Sequence, residues 1–289
     1  MFWKQKSHEE IAAVAALSIA LVALVGVASG MLPTAFKTEV HAQVITTNYD
    51  SQNSSYNTEL TPALETAIQA SAIRTAVSVI DNHTGQAYNA GAYNQQFKAA
   101  STIKTLTAIA YLQLVDQGKA TLDQTIGGVP ARELLRAMMQ DSDNTSWHTL
   151  NDYIGASQLQ QYATGLGVSS YVGEDMNLLT SEDCARLLEL LANNKLLSMQ
   201  SRELLYSYMG TSNNRELITS SMPAGVTTYN KYGMLFGNLH DSAIVTTDDT
   251  SLSIVIYTDN GNVELEDYAQ RSDYIRSLAS IVASKLATN

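Results

Sequence analysis

Ser101 and Lys104 stand three residues apart at the start of an apolar run, Ala99-Ala100-Ser101-Thr102-Ile103-Lys104, which continues through Val115. From Ala99 to Val115 the only charged side chain is Lys104, and no Gly or Pro interrupts before Gly118. Ile103, Leu106, Ile109, Leu112, Leu114 and Val115 put apolar groups on nearly every face, which predicts a helix buried on most sides. Residues three apart lie one turn from each other on the same face, so Lys104 would sit beside Ser101. An ammonium in such surroundings needs partners or gives up its proton more readily. A serine at a helix start also lies where free backbone N–H groups and the positive dipole end stabilise an oxyanion. Nucleophile, base and oxyanion site would then share one turn.

Ser-x-x-Lys by itself is a weak signal, because about one chance match is expected in a chain of this length. An N-cap serine followed by a lysine that snorkels to the surface satisfies the same letters. Two further groups raise its weight. Ser142-Asp143-Asn144 follows the helical run at residues 131–139, and Lys231-Tyr232-Gly233 lies in a strand-like run. In this order and context the three groups resemble those of the serine acyl-transferase superfamily that holds class A β-lactamases and penicillin-binding proteins. The resemblance is closest to the class A branch and covers roughly Leu60 to the C-terminus. Arg132-Glu133-Leu134 ahead of Ser142, and the strand pattern at residues 251–258, are similar to that family's flanking elements.

The resemblance implies a role for each residue. Ser101 is the acylated nucleophile and Lys104 its proton acceptor, with Ser142 relaying a proton to the leaving nitrogen. Asn144 holds the substrate amide and orients Lys104, while Asp143 braces the loop. Lys231 supplies positive charge facing the substrate carboxylate and Ser142. Gly233 permits close backbone approach, and the N–H groups of Met234 and Ser101 form the oxyanion hole. The bland alternatives are a turn serine at 142 and a solvated edge-strand lysine at 231.

Three departures from the family pattern stand out. Tyr232 takes the place of a small Thr or Ser hydroxyl in substrate binding, and a phenol there is expected to fill the groove. The stretch from Lys104 to Ser142 is short, which removes part of one cleft wall. Residues 173–179 replace the long loop that carries the deacylating glutamate. Glu174 is the candidate deacylation base and Asn177 is similar to that loop's asparagine. Their spacing is wrong for the family, and a solvent-exposed loop carboxylate is the competing reading of Glu174.

These groups need a scaffold to hold them. At 289 residues and 45% hydrophobic content the chain can bury a full core. Residues 60–71 begin with Thr61-Pro62 and read as a helix. Residues 76–80 and 86–90 read as strands around the turn Asp81-Asn82-His83-Thr84-Gly85. Helical patterns fill residues 131–221, with starts at Pro130, Thr180 and Ser198 and stops at Gly155, Gly167 and Gly210. Strand signals return at 226–231, 242–246 and 251–258, and a last amphipathic helix carries Tyr268, Ile275, Leu278, Ile281, Val282 and Leu286 on one face. An α/β lobe made of both chain ends would therefore hold an inserted helical lobe at about 119–222. By resemblance the fold class is α+β, β-lactamase/transpeptidase-like, an antiparallel sheet with packed terminal helices plus the inserted all-helical lobe. The active site is expected in the cleft between the lobes.

Ahead of this domain, at 59–289, the sequence predicts three segments. Residues 1–10 carry Lys4 and Lys6, and residues 11–32 are uncharged and largely apolar, long enough to span a bilayer. The lysines put the N-terminus in the cytoplasm, so the segment reads as a signal-anchor with the catalytic domain outside, or secreted if cleavage occurs near Val40-His41-Ala42. Residues 33–58 read as a polar stalk.

The net charge of −11 argues against nucleic acid as a partner, since no basic cluster is available to neutralise phosphates. Cys184 is alone, so no internal disulfide forms, and its helical surroundings read as core. Five histidines show no paired spacing, which predicts neither metal nor cofactor. Two functions stay open at this point. One is a serine hydrolase that acylates on β-lactams or D-Ala-type peptidoglycan stem peptides. The other is a cell-wall-binding pseudoenzyme of the same fold.

Overall fold

The computed structural model describes residues 59–173, 177–261 and 267–286. The predicted tail, membrane span and stalk (residues 1–58) and Glu174 lie outside the described residues. Among the described residues no helix is long and apolar enough to cross a membrane.

Helix α1 (Leu60–Gln69) leads into the antiparallel strands β1 (Arg74–Asp81) and β2 (Ala87–Gly91). After the inserted segment come β7 (Thr227–Leu235), β8 (Asn238–Thr246) and β9 (Ser251–Asp259), then helix α8 (Tyr268–Leu286). The five form one sheet in the order β2-β1-β9-β8-β7, with every neighbouring pair antiparallel. β9 beside β1 is where the two chain ends meet. All but one residue of β8 are buried, as expected of a strand covered on both faces.

Each face of the sheet has its own core. On one side Leu60 and Leu64 of α1 and Ile275, Leu278 and Val282 of α8 pack on Val77, Ile254 and Ile256. On the other side the helical segment packs on Ala76, Ile244, Val255 and Tyr257. The alternation along β1 and β9 is therefore between two cores, which is why their runs are apolar throughout.

The inserted segment opens with a two-residue strand β3 (Phe97–Lys98), a 3-10 turn (Ala100–Ile103) and helix α2 (Lys104–Asp116). Ten of the thirteen residues of α2 are buried, so it is the lobe's central post, as its apolar periphery predicts. A two-residue ladder, β4 (Thr125–Ile126) with β5 (Val129–Pro130), precedes α3 (Ala131–Gln140) and α4 (Asn144–Ile154). Next come α5 (Ala156–Gly165), the short β6 (Leu178–Leu179), α6 (Ser181–Ala192) and α7 (Met199–Gly210). Local chemistry sets these limits. The Thr180 hydroxyl accepts from Asp183 N and the Ser198 hydroxyl from Ser201 N, while Gly155 ends α4 at φ 90°. Cys184 is buried in α6.

Candidate active site

The site grows from the 3-10 turn. Ala100, immediately before Ser101, is held at φ 49°, a left-handed conformation that a side chain disfavours. The surroundings that hold it are visible. The Thr102 hydroxyl is bonded to Tyr257 Oη at 2.8 Å and donates to Ala99 O at 2.6 Å, tying the turn to β9. Buried His240 accepts at Nδ1 from Thr258 N (3.1 Å), so Nε2–H donates to Lys98 O (2.9 Å) and ties β8 to the chain ahead of Ser101. Burial pushes the His240 imidazole down to about 4, keeping it neutral. Ser101 begins in the 3-10 turn, and Lys104 is the first residue of α2 proper.

Lys104 is 1% exposed and its ammonium reaches Ser142 O at 2.5 Å, Asn144 Oδ1 at 2.7 Å and Ser142 Oγ at 3.3 Å. Lys231, fully buried, donates to the same Ser142 hydroxyl at 3.0 Å and to Tyr232 O at 3.0 Å. Two lysines from different lobes thus converge on one serine, which sits at φ 59° between α3 and α4. Asp143 caps α4 by accepting from Ser146 N at 2.6 Å, and the Ser146 hydroxyl first, then this N–H, hold its carboxyl below the usual range. Desolvation pushes Lys104 down to about 8, against the pull of Asp143. Lys231 falls to about 7, by desolvation first and then by the charge of Lys104. Such a pair gives up its first proton near neutral pH.

β7 is the sheet edge, and it runs along the 3-10 turn. A side chain at Gly233 would begin 3.1 Å from both Ser101 N and Thr102 N, so any larger residue would crowd the turn backbone where glycine lets strand and turn approach. Tyr232 points the other way. Strand alternation puts it opposite Lys231 and Gly233, where it is 8% exposed within the α1/α8 core and donates to Met234 Sδ at 3.2 Å. The expectation that its phenol fills the groove is corrected by this placement.

A pocket of about 250 Å³ opens over the turn, lined by Ser101, Lys104, Asn144, Asn177, Trp147 and His148. Its apolar rim is Met234, Leu235 and Phe236, all exposed at the β7–β8 hairpin. The loop carrying Asn177 is closed by Val172 N to Leu178 O (3.0 Å) and Leu178 N to Val172 O (2.9 Å). β6 pairs with β3, and Asn177 O accepts from Ala99 N at 2.8 Å, which sets this asparagine beside the serine turn. Trp147 and His148 escaped the sequence reading. Their spacing of three and four from Asn144, on a helix that starts there, was the available signal.

The model of the Beta-lactamase enzyme family matches residues 59–286. The chain belongs to that family. It is a β-lactamase-like serine hydrolase by family, and its fold agrees with solved structures. The structure of PBP-A superposes with a TM-score of 0.73 at 21% identity, covering 80% of this chain and 97% of that one. A variant of PBP-A in an acyl-enzyme complex with penicillin G gives the same figures. A β-lactamase from Xanthomonas campestris pv. campestris superposes at 0.71 with 22% identity, covering 79% and 97%. At these identities the likeness shows the fold alone. No curated protein matches the sequence.

Proposed function

We propose that this member of the β-lactamase family forms an acyl-enzyme at Ser101 with β-lactams or D-Ala-type peptidoglycan amides, and releases it slowly. The observation that carries the proposal is the convergence of Lys104 and Lys231 on the Ser142 hydroxyl beside the Ser101 turn. In this reading, neutral Lys104 takes the Ser101 proton as Oγ attacks the carbonyl carbon. Oxyanion charge falls on the N–H groups of Ser101 and Met234. The C–N bond then breaks, and the nitrogen takes a proton through Ser142, which is replenished from the lysine pair.

Incubation with penicillin G should add the mass of one penicillin, mapped to the peptide that carries Ser101. An adduct elsewhere would overturn the assignment. Tyr232 favours one alternative, because its buried hydroxyl leaves that strand position with nothing to bind a substrate carboxylate. The pseudoenzyme reading is therefore supported if no adduct forms while peptidoglycan is still bound.

The reading includes an extracytoplasmic location, with residues 11–32 as the anchor, motivated by Lys4 and Lys6 ahead of that run. Protease added to spheroplasts is expected to cut within residues 33–58. Protection until the membrane is lysed would reverse the topology.

A further inference from the structure

We propose that His148 is the base that activates water to release the acyl group from Ser101. The inference rests on Ser101 being the acylated residue.

Helix α4 begins at Asn144, whose side chain accepts from Lys104. One turn later Trp147 and His148 return to that face, and both line the pocket that holds Ser101. Trp147 is anchored, since its indole N–H donates to Thr107 Oγ1 at 3.1 Å. The His148 ring leans on it with centroids 4.7 Å apart and planes at 47°. Among the described residues nothing hydrogen-bonds the imidazole, so a neutral ring keeps one nitrogen lone pair for a proton.

The other basic groups of the pocket are placed for different work. Lys104 is directed at Ser142 and Asn144, on the acylation side. The Lys98 ammonium lies over the Phe236 ring, 5.3 Å from its centroid, at the hairpin rim. Asn177 lines the same pocket, so its carboxamide is available to hold a water. In the step proposed, water oxygen bonds to the ester carbonyl carbon as His148 takes one water proton. The C–Oγ bond then breaks and that proton passes to Ser101 Oγ, leaving free acid and free serine.

The test follows loss of the penicillin G adduct by intact mass after free drug is removed. His148→Gln and His148→Ala should still form the Ser101 adduct, which also reports that they fold, and release it about 10²-fold more slowly, the low end of the range for a general base. Imidazole added to His148→Ala should restore part of the release, which a structural role would not allow. Glu174→Gln should release at the parent rate. Parental release by His148→Gln, no rescue by imidazole, or a block in Glu174→Gln alone would overturn the inference while leaving the acyl-enzyme reading standing. Failure of the parent chain to form any adduct would overturn both.

Discussion

Lys104→Ala is expected to slow acylation of Ser101 by about 10²–10⁴-fold, the range that general-base assistance contributes. The lysine follows the nucleophile by one turn, and its ammonium is buried against Ser142 and Asn144. Burial, reinforced at Lys231 by the charge of Lys104, is what makes a neutral amine accessible near physiological pH. A protonated amine cannot accept the serine proton, so acylation should rise with pH through about 7 to 8, where the pair loses a proton, and then level off. Stability should respond with the same sign. Both lysines lose protons in the folded state below their ordinary 10.5, so the unfolded chain binds more protons across that interval. Folding is therefore favoured as pH rises from about 7 towards 10.5, and this contribution is lost as pH falls. Stopped-flow acylation by a chromogenic cephalosporin, run across pH for parent and variant, reads the kinetic effect. Normal acylation in Lys104→Ala, or a flat profile from pH 6 to 9, would remove Lys104 from the role.

The second large effect concerns release. Hydrolysis of an acyl-serine ester needs a base aimed at a water on the open side of the ester, and Lys104 faces the acylation side. The loop that bears the deacylating glutamate in class A enzymes, by the resemblance, is reduced here to residues 173–179. Losing a well-placed base costs about 3–5 kcal/mol of barrier, taking 10²–10⁴-fold at 1.36 kcal/mol per decade. A chromogenic cephalosporin should therefore give a burst near one equivalent and little steady turnover, with His148 carrying the residual release. Sustained turnover at lactamase-like rates, abolished by Glu174→Gln, would show that the short loop positions a carboxylate after all.

Much of this protein is legible from the sequence because the deciding interactions are local. Thr180 and Ser198 cap helices within three residues, and Gly155 ends one by its own backbone freedom. The apolar periphery of residues 103–115 specifies a buried helix whatever surrounds it. Ser101 and Lys104 share a turn by helical geometry alone. The family follows from Ser142-Asp143-Asn144 and Lys231-Tyr232-Gly233, whose order along the chain needs no coordinates.

Only the tertiary structure decides what those groups face. Alternation along β7 separates Tyr232 from Lys231 and Gly233, but which side holds the catalytic turn depends on the sheet order β2-β1-β9-β8-β7. That order sends the phenol into the α1/α8 core and the lysine to Ser142. The lysine pair titrates low because residues 127 positions apart in sequence are buried around one hydroxyl, a long-range contact that no local pattern encodes. His240 falls ahead of the strand read at 242–246 and carries no signal in the sequence, yet β8 places it where its two ring nitrogens tie Thr258 to Lys98. His148 looks like any exposed helix residue until α4 is docked beside α2, which puts it with Asn177 on the lining of the Ser101 pocket. Local rules act through a few bonds of chain, whereas the electrostatics of this site come from desolvation by distant segments.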